Sequence, residues 1–343
     1  MVRFSENLIY SYIKIMSNES VVTDKSAPRP PSGRNESVVA DKSASRPPSR
    51  RNEDVCAPGK YDAKNDTCFN QKQLTEMAKA YNRYITKKKL HPSDNKLDDK
   101  ADLIKNPDAD VPTLLKEFRK RFGKIDDRDL SQREFMKGVI KEIDSAFRPQ
   151  GPKDPIEWLS TLDINAIMNQ YHQVYPDFRF LGAVPSDCDI VKGCTLNQFD
   201  FEEYRKDGIK QLGIIFNLDK HNQPGSHWVA LYINMKDGYI YYCDSVGNEP
   251  SAPIKHFINQ FKTYYKQKTG KEATFQHNTK SYQKDGSECG IYSCNFLIRM
   301  LAGEPFEDIT NNSLPFEGIN GCRNKYFNNK PSKFKVNELC DPK

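Results

Sequence analysis

The segment Gln283-Lys-Asp-Gly-Ser-Glu-Cys289-Gly-Ile-Tyr-Ser-Cys294 places a cysteine at the predicted start of a helix. The helical pattern continues from Cys289 to about Leu301, and Gly303 ends it. A cysteine in the first helical turn lies at the positive end of the helix dipole, which favours its thiolate form. The segment therefore indicates an activated nucleophile, although a free cysteine is more often simply a buried apolar residue.

Two strands earlier in the chain supply a candidate base and the acid that would orient it. His227 enters the run His227–Asn234, and Asp244 follows the run Tyr239–Cys243. The turn 235–238 joins these runs as a hairpin, so the histidine and the aspartate are expected on adjacent strands. A strand histidine or a post-strand aspartate is by itself usually structural. Their occurrence together with the helix-start cysteine favours a catalytic triad.

A polar residue six positions before the cysteine completes the candidate site. Gln283 can loop over Cys289 and offer its amide N–H to an oxyanion, beside the backbone N–H of the cysteine itself. The predicted catalytic residues are therefore His227, Asp244, Cys289 and Gln283.

The second half of the chain mixes strands with helices. Extended runs are predicted at Leu212–Leu218 and Ala273–Thr279, and a helix is predicted over Asp163–Tyr171. Segment 304–343 is rich in Asn and Pro and is predicted to be mostly irregular. Because strands and helices do not alternate regularly, the pattern favours an α+β domain over residues 156–343 rather than a doubly wound sheet.

The preceding segment, residues 53–148, has helical periodicity. Capping boxes are predicted at Asn70–Gln73 and Ser131–Glu134, and a helix is predicted over Thr113–Phe122. The proline-rich stretch 149–155 breaks the helical pattern. We therefore expect a small helical domain joined by this linker to the α+β domain.

Residues 1–52 contain a near-repeat of 17 residues, Asn18 to Arg34 and Asn35 to Arg51, rich in Ser, Pro and Arg. With few apolar residues, the segment cannot offset its ordering entropy and is predicted to be a disordered tail. The tail is basic, with nine Lys/Arg against five Asp/Glu up to Arg51, and the rest of the chain is nearly neutral at 43 against 41. Nucleic acid is therefore not an expected partner.

The composition excludes collagen, a disulfide miniprotein and a multi-span membrane protein, because 36 Phe and Tyr residues are spread through 343 residues with no long apolar run. The stretch Leu8–Met16 is too short, and too interrupted by Ser11 and Lys14, for a signal peptide or a membrane span. We expect no membrane partner. Met16 is a plausible alternative start.

Nine cysteines are scattered along the chain without a regular framework, which favours a reducing compartment. Cys56 and Cys68 form a weak zinc candidate, because no second Cys/His pair stands at ligand spacing and Cys188 and Cys194 do not supply one. No metal or organic cofactor is predicted. Whether Cys289 pairs with another cysteine is left open.

The order His-Trp on a strand, Asp-Ser after the next strand, then Gln-x5-Cys-Gly-Ile-Tyr-x-Cys at a helix start resembles the ubiquitin-like-protein protease family. That family includes the SUMO-processing proteases and the adenovirus and asfarvirus maturation proteases. The resemblance implies a papain-like or adenain-like fold with a central mixed sheet. It also implies Cys289 as nucleophile, His227 as general base and acid, Asp244 as its orienter and Gln283 as oxyanion donor. Glu288 stands where cellular members usually carry Asp.

The same resemblance implies a substrate tunnel. Trp158-Leu159 is similar to the Trp-Leu-Asn-Asp entrance motif of the family, with longer spacing to the following aspartate. Trp158 would form one side of a narrow tunnel over glycine residues, with Trp228 near the other side. Such a tunnel excludes larger side chains beside the scissile bond. A core-anchoring role for either tryptophan is an equal alternative.

Cys56 to Cys68 and the helix that follows also resemble the N-terminal region of giant-virus thiol proteases. The resemblance implies a cysteine endopeptidase that cleaves after Gly-Gly-x or Gly-x-Gly-like sites in viral core or capsid precursors during virion maturation, in the virion and the host cytoplasm. The helical region would serve substrate docking or particle association. The alternatives are a protease of host ubiquitin or SUMO conjugates, an acetyltransferase with the same Cys-His-Asp site, and a binding protein with a relic site.

Overall fold

The computed structural model of the protein describes residues 51–90, 102–123, 127–136, 143, 145–329 and 332–342. The tail predicted for residues 1–52 lies outside the described residues up to residue 50. Among the described residues, no helix combines the length and the apolar character needed to cross a membrane.

Five strands form one mixed sheet in the order β1-β2-β3-β4-β5. Their bounds are β1 Phe178–Pro185, β2 Gln211–Asn217, β3 Trp228–Asn234, β4 Tyr239–Cys243 and β5 Thr274–His277. The pairs β1–β2 and β4–β5 are parallel, whereas β2–β3 and β3–β4 are antiparallel. The sheet confirms the predicted α+β class with a central mixed sheet, and the predicted hairpin is β3–β4.

Ten helices accompany the sheet in the described part of the chain. They are α1 Asn52–Val55, α2 Gln71–Leu90, α3 Val111–Phe122, α4 Asp127–Ser131, α5 Thr161–Met168, α6 Phe201–Lys206, α7 Ala252–Thr269, α8 Cys289–Leu301, α9 Phe306–Asn311 and α10 Phe316–Tyr326. Short 3₁₀ turns occur at Glu134–Met136, Asn169–Gln173 and Glu338–Cys340.

The two faces of the sheet are covered by different helices. Along β3, Ala230 and Tyr232 join a core shared with α8, whereas Leu231 and Ile233 join a second core shared with α7. Successive side chains of a strand point to opposite faces, so a strand covered on both sides is apolar at nearly every position. All thirteen residues of α8 are buried, which places the helix that begins with Cys289 in the interior.

Several predicted elements differ from the structure. The prediction missed β1, where Gly182 at φ 114° and a register shift interrupt the strand pattern, and it missed α7 although its apolar residues follow helical spacing. The prediction that 304–343 is mostly irregular is wrong, because α9 and α10 bury apolar residues against α8. Their short lengths and many asparagines hid the helical pattern.

A third apolar cluster draws only on residues between Val55 and Phe147. The capping box at its longest helix is present, because Asn70 and Gln73 exchange side-chain to backbone hydrogen bonds of 2.9 Å. Ser131 does not begin a helix as predicted. It ends α4 and donates its hydroxyl to the carbonyl of Arg128 at 2.6 Å.

The predicted linker, residues 149–155, is hydrogen-bonded to the segment that follows α10. The backbone N–H of Gly151 donates to Asn329 Oδ1 at 2.9 Å, and Asn329 Nδ2 donates to the carbonyl of Pro152 at 2.6 Å. Just before it, buried Arg148 pairs with Asp341 at 2.8 Å. The helical segment is thereby joined to the end of the chain by specific polar contacts.

Six of the nine cysteines form disulfides, which corrects the expectation that the cysteines lack a disulfide framework. The pairs are Cys56–Cys68, Cys188–Cys194 and Cys322–Cys340. Each pair closes a loop of at most 18 residues, so the pairing depends on local turns that cysteine spacing alone does not reveal. The weak zinc candidate at Cys56 and Cys68 is one of these disulfides.

Candidate active site

The β3–β4 hairpin brings the predicted histidine and aspartate together. His227 stands one residue before β3, and Asp244 stands one residue after β4. His227 Nε2 lies 2.6 Å from Asp244 Oδ1, so the contact expected from the hairpin is present. The aspartate is fully buried and the histidine is largely buried, which strengthens the interaction between them.

Asp244 is held in place by its own backbone surroundings. Its carboxylate accepts hydrogen bonds from the backbone N–H groups of Val246 at 3.0 Å and Asn248 at 3.3 Å. A carboxylate that accepts several such bonds has a fixed orientation. It can therefore orient the imidazole of His227 and stabilise it when protonated.

Asn278 is a polar residue of the site that the sequence did not single out. Its Oδ1 accepts from the backbone N–H of Asp244 at 2.9 Å, and its Nδ2 donates to the carbonyl of Asp244 at 2.7 Å. Asn278 follows β5 directly, as Asp244 follows β4, and the two strands are parallel neighbours. The signal that could have found it is a polar residue near the end of the extended run predicted over Ala273–Thr279.

Cys289 is the first residue of α8 and is buried. Burial lowers the pKa of His227, but hydrogen bonds to Asp244 and Cys289 outweigh burial and raise it to about 9. His227 is therefore protonated at neutral pH. Because Nε2 binds the aspartate, Nδ1 is the ring nitrogen left for the thiol.

The two other free cysteines have a different environment. Burial raises the pKa of Cys243 to about 12, and burial also raises the pKa of Cys294 well above its ordinary value. Cys243 lies 2.8 Å from the hydroxyl of Tyr282. Both thiols stay protonated at neutral pH, so neither competes as a nucleophile. The structure leaves Cys289 unpaired.

Gln283 is hydrogen-bonded to Ser245, the residue that follows Asp244. Its backbone N–H donates to the carbonyl of Ser245 at 3.0 Å, and its Oε1 accepts from Ser245 Oγ at 2.5 Å. Its Nε2 donates one hydrogen to the carbonyl of Asp285 at 2.6 Å, which leaves the second amide hydrogen. The hydrogen bonds described for Gln283 are with these neighbours and not with Cys289.

The two tryptophans lie in different environments. Trp228 is 6% exposed and donates Nε1–H to the carbonyl of Leu159 at 2.9 Å. A Cβ placed on Gly290 would lie 3.0 Å from Leu159 and 3.3 Å from Trp228, so all three are packed beside the nucleophile. Trp158 is 48% exposed, and it remains available to a ligand.

The described residues contain no group of three or more His, Cys, Asp or Glu side chains arranged to hold a metal ion. The arrangement of the site is that of a thiol next to a protonated imidazole, with an acid behind the imidazole. Such a pair attacks carbonyl carbon and can return a proton to the leaving group.

Comparison with known proteins agrees with this chemistry. Residues 208–332 match the Ulp1 protease family, C-terminal catalytic domain. The chain is 52% identical over 295 residues to a protein of Acanthamoeba polyphaga mimivirus named as a thiol protease, covering 84% of this chain and 97% of the viral protein.

More distant matches extend the comparison. The chain is 24% identical over 175 residues to the SUMO-1 cysteine protease of an African swine fever virus isolate, covering 47% of this chain and 64% of that protein. The crystal structure of an African swine fever virus protease has the same fold, at a TM-score of 0.55 and 18% identity over 82% of this chain and 98% of that one.

The 52% identity along nearly the whole mimivirus protein, together with the family match over the segment that carries the cysteine, identifies the chain as a cysteine protease of the Ulp1 protease family.

Proposed function

We propose that Cys289, His227 and Asp244 form the catalytic triad of this protease. The observation that carries the proposal is the 2.6 Å contact between His227 and Asp244, with the Cys289 thiol acting on the same imidazole and raising its pKa. The position of Cys289 at the first turn of α8 adds the helix dipole to the stabilisation of a thiolate.

The proposed reaction uses these groups in turn. The Cys289 thiolate attacks the peptide carbonyl and forms a tetrahedral oxyanion, which accepts hydrogen bonds from the backbone N–H of Cys289 and the second amide hydrogen of Gln283. The His227 imidazolium gives its proton to the leaving amine, and the neutral imidazole then activates water to release the acyl-enzyme. Asp244 keeps the ring oriented throughout.

The proposed substrates are glycine-containing polypeptide precursors, cleaved after Gly-Gly-x or Gly-x-Gly-like sequences. Exposed Trp158 stands next to Leu159, which packs against Gly290 at the nucleophile. An aromatic ring at this point narrows the approach to the thiol, and glycine is the residue that passes such a constriction most easily.

We further propose that the precursors are viral core or capsid proteins, processed in the virion and the host cytoplasm during maturation. The viral origin of the relative with 52% identity supports this assignment. The helical segment around α2 and α3 would dock the substrate or the particle. Ubiquitin-like modifiers are a second candidate substrate, because one viral relative carries the name of a SUMO-1 cysteine protease.

Cleavage assays with the purified full chain test the proposal. The panel contains precursor segments with Gly-Gly-x and Gly-x-Gly sites, the same segments with each glycine replaced by valine, and SUMO and ubiquitin conjugates. We expect cleavage of the glycine segments and at least a 100-fold loss with valine beside the scissile bond. If the enzyme cleaves a SUMO or ubiquitin conjugate in preference to the precursor segments, its function is removal of the modifier and not precursor processing.

Matched variants identify the nucleophile. We expect Cys289→Ala to abolish cleavage and Cys294→Ala to retain it, because Cys294 lies deeper in the same helix and its thiol stays protonated. Cleavage that survives in Cys289→Ala would contradict the proposed triad.

A further inference from the structure

A buried carboxylate stands directly before the proposed nucleophile. Glu288 is 1% exposed, and its Oε1 accepts from Ser287 Oγ at 2.5 Å. Its Oε2 is buried and has no hydrogen-bond partner among the residues that the structure describes. A negative charge in this position disfavours a thiolate on the adjacent residue unless a positive charge offsets it.

Arg323, a residue of helix α10, supplies that positive charge. Arg323 is 5% exposed, and its Nε donates to Asn320 Oδ1 at 3.0 Å within α10. Its Nη2 donates to the carbonyl of Ser287 at 3.3 Å, which joins α10 to the segment just before Cys289. The Ser287 carbonyl therefore faces α10, and peptide planarity fixes the direction of the Glu288 N–H on the opposite side.

Three carboxylates act on Arg323, those of Glu288, Asp163 and Asp154. The fourth titratable group that acts on it is the Cys294 thiol, which stays protonated at neutral pH. Burial lowers the pKa of Arg323, and the carboxylate of Glu288 is the strongest group opposing that change. An arginine keeps its charge even when buried, so this guanidinium is a permanent positive charge that acts on the carboxylate without contacting it.

We propose that Arg323 is a positioning residue of the protease: it holds the segment that carries Gln283 and Glu288 through the carbonyl of Ser287, and its charge offsets the buried carboxylate beside Cys289. The inference rests on the proposed role of Cys289 as the nucleophile. The proposed triad lies on the β3–β4 hairpin and α8. The inference adds α10 as a third element that contributes to activity.

Alkylation of Cys289 by iodoacetamide tests the charge effect without any substrate. The rate is measured against pH in the full chain, by mass spectrometry of the peptide that contains Cys289. In Arg323→Gln we expect the midpoint of the rate profile to rise by about one pH unit, because Glu288 is no longer offset. The double variant Glu288→Gln, Arg323→Gln should return the midpoint to within about 0.3 unit of the wild type, since both charges are then absent.

Cleavage kinetics test the positional effect. Arg323→Lys keeps the charge but loses the planar fork that reaches both Asn320 and Ser287. We expect a wild-type alkylation midpoint, about a tenfold lower kcat and a KM within twofold. Lys335 is exposed, and its backbone lies against Gly321 of α10. Lys335→Gln therefore removes one exposed positive charge near α10 and should change none of these quantities.

Two results overturn the inference: a wild-type alkylation midpoint in folded Arg323→Gln, or a wild-type kcat in Arg323→Lys. If Arg323→Gln does not fold, the kcat of Arg323→Lys alone tests the inference. Failure of the proposed triad is distinguishable, because His227→Ala would then leave the alkylation profile of Cys289 unchanged.

Discussion

His227 is the residue whose surroundings set the chemistry. The imidazole lies between a buried carboxylate and a thiol, and hydrogen bonds to both outweigh burial and raise its pKa to about 9. The protonated ring is therefore the state at neutral pH. Asp244 can hold this state because Asn278 fixes its backbone and two N–H groups fix its carboxylate.

The raised pKa of His227 predicts an alkaline limit to activity. Above about pH 9 the ring loses the proton that the leaving amine needs, so kcat/KM should fall as the pH rises through that value. In Asp244→Asn the ring loses its main negative partner, and the fall should move down by about one to two pH units. The measurement is kcat/KM from pH 5 to 11. Wild-type activity that still rises at pH 10 would contradict the assignment.

The stability of the wild type provides the matching control for that profile. A folded pKa above the ordinary value of 6.5 means that His227 stabilises the fold fully below about pH 6.5. The contribution is lost as the pH rises toward 9. Unfolding should be measured over the same range, so that loss of activity is separated from loss of structure.

Helix α8 is the element that links the site to the core. All thirteen of its residues are buried, and its first turn packs against Trp228 at the start of β3 and Leu159 before α5. The nucleophile therefore sits at a junction of three elements. A small residue is needed at its second position because the neighbouring side chains leave no space for a larger one.

We expect Gly290→Ala to disturb this junction. The added methyl would lie 3.0 Å from Leu159 Cβ and 3.3 Å from Trp228 Cδ1, so a neighbour must move. Overpacking of this kind lowers the free energy of unfolding by about 1–3 kcal/mol. Displacement of Leu159 should also lower kcat/KM. Urea unfolding and cleavage assays provide the two measurements.

Gly286→Ala is the matched control for stability, because a Cβ there would have no neighbour within 4 Å. Its free energy of unfolding should stay within about 0.5 kcal/mol of the wild type. Equal stability of the Gly290 and Gly286 variants would contradict the packing argument.

The part of the chain that the structure describes contains three apolar clusters, and polar contacts join two of them. Two clusters cover the faces of the sheet, and the third lies between Val55 and Phe147. The end of the chain connects the third cluster to the core beside α8, because Asp341 accepts from Arg148, which follows Phe147, and from Tyr171. The preceding residue, Cys340, is bonded to Cys322 in α10.

The disulfide Cys322–Cys340 is expected to stabilise this connection. It closes a loop of 18 residues, for which the lost entropy of the unfolded chain corresponds to about 3 kcal/mol. Replacement of both cysteines by serine should lower the free energy of unfolding by about that amount, measured by urea unfolding without reductant. The wild type with reductant should approach the variant. Equal stability of variant and oxidised wild type would show that the bond does not constrain the fold.

Local signals in the sequence determined much of the site. The spacing of His227 and Asp244 around a short turn predicted their contact, because a hairpin fixes which residues of two strands are neighbours. The pattern from Cys289 to Leu301 predicted α8, because apolar periodicity and a terminal glycine are local properties. The catalytic roles themselves stay predictions that the assays above test.

Only the tertiary structure decided the contacts between segments distant in the chain. The pairing of six cysteines, the support of Asp244 by Asn278 and the reach of Arg323 to Ser287 join residues from separate elements or loops. The sequence gives Trp158 and Trp228 the same two alternatives, a tunnel wall or a core anchor. Only the tertiary packing shows that Trp158 is exposed and Trp228 is buried. The reason is physical: hydrophobic periodicity specifies which face of an element is buried, but not which distant side chain lies against it.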